Sequence, residues 1–133
     1  MIHTIGMIGT GNMGSAILRG IVEAEYVKAD RIIAFDTSNR RMRELEEDIP
    51  GVMLAQDCRE LAEKSDLIIL AVKPIYVKDV IDEISPYLDG KAVLSIAAGW
   101  TVSMLEHALY GTGATYLRVM PNTPALIFHS PYW

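Results

Sequence analysis

Only one cysteine, Cys58, occurs in 133 residues, which excludes an internal disulfide and a multi-cysteine metal site. Basic residues are also scarce. Twelve Lys and Arg against 17 Asp and Glu leave a net charge of −5, the reverse of the basic footprint of a nucleic-acid binder. No apolar run approaches the roughly 18 residues of a membrane span. Residues 1–8 have neither the charged start nor the long apolar stretch of a secretory signal. The three histidines, His3, His107 and His129, share no metal-ligand spacing. These absences predict a single domain in a reducing, cytoplasmic setting, with no metal and no nucleic-acid or membrane partner. Half of the residues are hydrophobic. A chain of this length buries roughly two-thirds of its unfolded surface, so it can form a core without cross-links.

The most informative positive feature is an apolar run containing Ile5, Met7 and Ile8 that leads straight into Gly9, Thr10, Gly11, Asn12, Met13 and Gly14. This is a Gly-x-Gly-x-x-Gly turn between a strand and a helix. Gly9 allows a sharp turn, Gly11 removes a Cβ that would hold phosphates away, and Gly14 lets the helix lie close on the strand. The helix start then offers N–H groups and a partial positive charge to a pyrophosphate. Met13, Ala16, Ile17, Gly20 and Ile21 recur on one face of a 3.6-residue period, as an amphipathic helix requires. A second apolar run ends at Asp36, 22 positions after Gly14; the dinucleotide fingerprint places an acidic residue about 20 positions on.

Strand and helix signals alternate along the whole chain. Strands are predicted at 2–8, 31–36, 51–54, 66–72, 91–97 and 115–119, and helices at 12–25, 38–48, 57–64, 75–84 and 101–109. The run 66–72 is apolar almost throughout, as for a strand covered on both faces. Ser85 and Pro86 should end the fourth helix, because the residue before a proline avoids the α region. Thr101 or Ser103 can cap the fifth, the latter with Glu106 in an S-x-x-E box. Right-handed crossovers assemble these elements into an α/β, Rossmann-type doubly wound parallel sheet of order 3-2-1-4-5-6. Ligands bind such a sheet at the carboxyl ends of its strands. Segments 9–14, 36–41, 71–74, 97–99 and 120–124 should meet there.

Those segments carry a resemblance. The glycine motif, then Ala71-Val-Lys-Pro74, Ser95-Ile-Ala-Ala-Gly99 and Arg118-Val-Met-Pro-Asn-Thr-Pro-Ala125, in that order, resemble pyrroline-5-carboxylate reductase over residues 1–126. That family makes proline by reducing a cyclic imine with NADPH or NADH. The resemblance implies that Gly9–Gly14 hold the pyrophosphate and that Ala71, Val72, Lys73 and Pro74 run beside the nicotinamide ribose. It also implies that Ala97, Ala98 and Gly99 line the nicotinamide pocket, with Asn122 and Thr123 near the space of hydride transfer. No obligatory protein base is expected, since the protonated imine is the electrophile, and no catalytic residue is assigned. Cys58 stands where the family often has an asparagine near the adenine; it is read as a buried small hydrophobe.

Cofactor choice reads both ways. Asp36 can accept from a ribose 2′-hydroxyl, which favours NAD, and would repel a 2′-phosphate. Thr37, Ser38, Arg40 and Arg41 suit a phosphate, and the resemblance tips the expectation to NADP. After Leu126 the family continues into a helical domain that supplies the dimer interface and much of the imine site, whereas here an aromatic tail, 127–133, follows. The expectations are cofactor binding by 1–126 with little reductase activity alone, and self-association through the apolar tail. A stand-alone dinucleotide-binding module without catalysis, or a related hydroxyacid or imine dehydrogenase, remains an alternative.

Overall fold

The computed structural model describes residues 2–119. Within them the chain alternates β1 (Ile5–Ile8), α1 (Asn12–Glu23), β2 (Ile32–Phe35), α2 (Asn39–Asp48), β3 (Met53–Leu54), α3 (Cys58–Lys64), β4 (Leu67–Leu70), α4 (Pro74–Ile84), β5 (Ala92–Ser95), α5 (Val102–Ala108) and β6 (Thr115–Arg118). The six strands form one sheet of order β3-β2-β1-β4-β5-β6, parallel at every pairing. This is the doubly wound order that the alternation of elements implies. Asn122, Thr123 and the tail 127–133 lie outside the described residues.

Strand alternation distributes the core between two faces. Ile8, Ile33, Ile68, Leu70 and Val93 join one apolar cluster with Leu61, Val77, Ile81 and Leu105, from α3, α4 and α5. Met7, Ile32, Ala34 and Ile69 join the other with Leu18 of α1 and Leu45 of α2. The near-continuous apolar run of β4 follows from this arrangement, because Ile68, Ile69 and Leu70 are buried whichever face they take. Gly6 permits close packing on the first face. A Cβ there would lie 2.2 Å from Ser65 Oγ and 2.6 Å from a Leu61 methyl, so α3 rests directly on the β1 backbone. At the far edge, Leu117 of β6 is 62% exposed.

Several elements are shorter than their hydrophobic runs. β1 starts at Ile5, because the His3 and Thr4 N–H groups donate to Asp66 Oδ2 at 2.7 and 3.0 Å. These bonds hold the Asp66 carboxyl below its usual range. β3 is only two residues long: Gly51 adopts φ +99° and Val52 N–H turns back to the Ile49 carbonyl. α4 starts one residue early, with Pro74 at its first position, where a missing N–H costs nothing. It ends at Ile84, and Ser85–Tyr87 follow as a 3₁₀ turn. Thr101, extended at φ −82° and ψ 166°, caps α5 by accepting from Met104 N–H. Ser103 is already inside the helix, so the S-x-x-E box with Glu106 does not form. Among the described residues no helix is long and apolar enough to cross a membrane.

The contact at Gly6 generates a stability prediction. Gly6→Ala overpacks the α3–β1 contact and should lower unfolding free energy by about 1–3 kcal/mol, read as a lower urea midpoint.

Candidate functional site

At the carboxyl ends of β1, β2 and β4 the chain reverses direction across the sheet, and there a cleft of about 900 Å³ opens. The glycine turn forms its floor. Gly9 has φ +96°, and a Cβ there would lie 2.7 Å from the Ala71 carbonyl oxygen; only glycine fits. Its N–H donates to the Phe35 carbonyl at 2.8 Å, which fastens the turn to β2. A Cβ on Gly14 would lie 2.5 Å from the Gly9 carbonyl oxygen, so α1 folds tightly against its own entry loop. Gly11 differs. The nearest atom to its Cβ position is an Arg41 guanidinium nitrogen 3.6 Å away. Gly11 therefore leaves space free in the cleft and is not forced by protein packing. Asn12 and Met13 complete this wall.

The cap of α1 is Gly11, which offers no side-chain acceptor. Side chains of Ser38, Asp57 and Thr101 cap α2, α3 and α5. The first-turn amides of α1 thus meet the cleft without a side-chain partner, at the positive end of a 12-residue helix. An anion completes such a site.

Asp36 lines the cleft, yet both of its oxygens are engaged. Oδ2 accepts from the Thr10 N–H at 2.7 Å and the Thr10 hydroxyl at 3.1 Å, and Oδ1 accepts from the Ser38 N–H at 2.8 Å. Thr10 is buried beneath the turn, and its carbonyl accepts from Ser15 Oγ at 2.7 Å. Asp36 is therefore a brace between the glycine turn and the start of α2. The Ser38 hydroxyl is also occupied, capping Arg41 N–H. Arg40 turns away: its side chain is 71% exposed and its guanidinium is paired with Glu44 at 2.9 Å. Arg41, one residue on, lines the cleft with Thr37, and its guanidinium stands 4.0 Å from Asp36 Oδ2. A helix turns 100° per residue, which is enough to separate these two neighbours.

Ala71, Val72 and Lys73 bring the β4 tip to the same cleft. Pro74 does not line it, and neither do Ala97, Ala98 and Gly99 at the β5 tip. Ala97 is buried in the core, while Ala98 and Gly99 are exposed. One wall is absent from the sequence-based site: Tyr76, Asp79, Val80 and Glu83 of α4, with Phe35, Asp57 and Cys58 opposite. The spacing of Tyr76, Asp79, Val80 and Glu83 marks one helical face, but the apolar pattern of α4 draws attention to the core-facing side. Burial, reinforced by the charge of Glu83, pushes the Cys58 thiol up to about 12. It stays protonated at neutral pH and is not a nucleophile. Among the described residues no group of three or more His, Cys, Asp or Glu is placed to hold a metal.

Fold and cleft together are those of a Rossmann-type nucleotide-binding domain. The family model described as NADP oxidoreductase, coenzyme F420-dependent, matches residues 4–99, and the chain belongs to that family. Within it, the chain is a homologue of the N-terminal NAD(P)-binding domain of pyrroline-5-carboxylate reductases. It is 40% identical over 124 residues to the enzyme of Escherichia coli, covering 92% of this chain and 45% of that one. A pyrroline-5-carboxylate reductase structure from Coxiella burnetii aligns with TM-score 0.84 and 34% identity, over 94% of this chain and 46% of that one. The Plasmodium falciparum pyrroline carboxylate reductase, crystallised with NADP bound, aligns with TM-score 0.78 and 32% identity, over 93% and 44%. The chain thus spans about 45% of the length of these relatives.

If Asp36 is a brace, its replacement has a distinct signature. Asp36→Asn opposes an amide N–H to donors on Thr10 or Ser38 and should cost about 1–3 kcal/mol of stability. Affinity for NAD⁺ and NADP⁺ should fall by the same factor. Urea denaturation and calorimetry read the two effects; a gain for NADP⁺ alone would show that Asp36 instead selects against the 2′-phosphate.

Proposed function

We propose that the cleft holds NADP(H) in preference to NAD(H), and that the chain is the cofactor-binding portion of an enzyme that reduces 1-pyrroline-5-carboxylate to proline, with little reductase activity alone. The observation that carries the first part is the α1 terminus, uncapped by any side chain and open beside Gly11. A pyrophosphate there accepts from the first-turn amides in place of a side-chain cap. Asn12 and Met13 flank it, and Gly9 and Gly14 keep the turn in shape.

Preference for NADP follows from the engagement of Asp36. Its carboxylate faces three donors, and Arg41 stands beside it. Its repulsion toward a 2′-phosphate is thereby offset, and it has little acceptor capacity left for a 2′-hydroxyl. Arg41 and Thr37 line the same side of the cleft and offer the charge and hydroxyl that a phosphate requires.

Reduction of a C=N bond draws on the hydride that the nicotinamide supplies when bound. The chain's own residues position that ring. Ala71–Lys73 would run beside its ribose, with Pro74 opening α4. Ala97, Ala98 and Gly99 would form its far wall, where small side chains leave room for a planar ring. For Asn122 and Thr123, outside the described residues, the family resemblance alone implies a place near the space of hydride transfer. Burial by Phe35, Val72 and Val80 would exclude water from the other lobe, where the adenine would lie between α3 and α4. The substrate assignment rests on the pyrroline-5-carboxylate reductases to which the chain is homologous.

Gly11 provides the main test. Gly11→Ala has space in the free protein, so the melting temperature should hold while affinity for NADP⁺ falls at least about tenfold, as the methyl occupies the pyrophosphate position. Calorimetry and thermal melting of the same sample decide it, and unchanged affinity would remove the phosphate assignment. Arg41→Ala should weaken NADP⁺ by about tenfold, the loss of a charge-assisted contact, and leave NAD⁺ unaffected. Arg40→Ala should change neither; equal losses at both positions would reduce Arg41 to a general surface charge.

A further inference from the structure

We infer that Trp100 is a positioning residue that sets the spacing between the β4 and β5 tips, and with it the width of the space beside the cleft proposed for the nicotinamide. The inference rests on the NADP reading above. The two tips are joined as a sheet only up to the Ile96 N–H, which donates to the Leu70 carbonyl at 3.1 Å. Beyond that point the loops diverge. One runs through Lys73 into α4. The other turns through Ala97, Ala98 and Gly99, with Gly99 at φ +80°. Ala98 and Gly99 are exposed and give this turn little to pack with beyond Ala97.

Trp100 supplies the missing connection. Its side chain is buried in the same apolar cluster as Val77, Ile81 and Leu105. Its indole N–H crosses to the other loop and donates to the Pro74 carbonyl at 3.0 Å. Among the described residues this is the hydrogen bond that joins the two loops past the sheet. The Trp100 carbonyl in turn accepts from Arg118 Nε on β6. One residue thus ties three successive strand tips, through its ring on one side and its backbone on the other. A tryptophan that only filled volume would seat its N–H on any nearby acceptor; here the acceptor is the first residue of the helix that opens the opposite wall. The ring expected between these walls has to be held to within a fraction of an ångström for hydride transfer, so a tie at this point acts on the nicotinamide and not on the adenosine end.

The test separates the two halves of the cofactor. Trp100→Phe keeps the apolar ring and removes the N–H. Calorimetry with 2′,5′-ADP, which lacks the nicotinamide half, should give unchanged affinity, while NADP⁺ should bind about fivefold more weakly, the loss of one neutral hydrogen bond. An equal loss for both ligands, or no loss for either, overturns the tie. Amide hydrogen exchange on the unsubstituted chain gives a second reading that does not depend on the variant's folding. Residues 75–77 and 97–100 should gain protection together with NADP⁺, and 97–100 should not respond to 2′,5′-ADP. Protection of one segment without the other by NADP⁺ also overturns it. If the unsubstituted chain bound neither ligand, the NADP reading would fall and this inference with it.

Discussion

The shape of the cleft depends on three hydrogen bonds to one buried carboxylate. Asp36 leaves β2 and accepts two donors from Thr10, in the glycine turn, and one from Ser38, at the start of α2. A charged acceptor in a low-dielectric site bonds more strongly than a neutral one. The donors it satisfies are backbone and hydroxyl groups that burial would otherwise leave costly. The turn is thus held open at the position where α1 presents its first amides. Without that brace, the Gly9 N–H bond to the Phe35 carbonyl would be left to tie the turn to β2.

The rest of the site is built outward from that point by close approach. Glycine appears where backbones touch: Gly9 against Ala71, Gly14 against Gly9, and Gly6 beneath α3. These contacts join β1, α1, α3 and the β4 tip into one unit with little room for adjustment. Gly11 alone among the motif glycines meets no backbone, its nearest neighbour being the Arg41 guanidinium, and this separates it from the glycines that serve the fold. The far half of the sheet is tied differently. There Ala98 and Gly99 of the β5 turn are exposed, and a bulky aromatic and its hydrogen bonds fasten the turn.

Much of this architecture was legible in the sequence. The six strands and five helices are recovered in order, and the parallel sheet follows from their alternation. Element ends were less legible, because local chemistry overrides hydrophobicity there. Asp66 shortens β1, Gly51 shortens β3, and the backbone angles of Thr101 displace the Ser103 cap. The site divides in the same way. Gly9–Gly14, Asp36, Thr37 and Ala71–Lys73 meet as their positions after strands imply. Arg40, which has the same composition signal as Arg41, points to Glu44 instead. The α4 wall was missed because its polar face, in sequence, looks like any solvated helix surface.

The sequence by itself determined the order of elements, the place of the glycine turn and the family, because periodicity and a six-residue motif are local properties of the chain. Tertiary structure decided which groups remain free to act. Whether a carboxylate meets a ligand or its own backbone depends on the packing of segments 26 residues apart, Asp36 against Thr10, and which of two adjacent arginines faces the cleft depends on the face by which α2 packs on the sheet. Hydrogen-bonding capacity is used up by the nearest partner in space, and nearness in space is fixed only when the sheet closes.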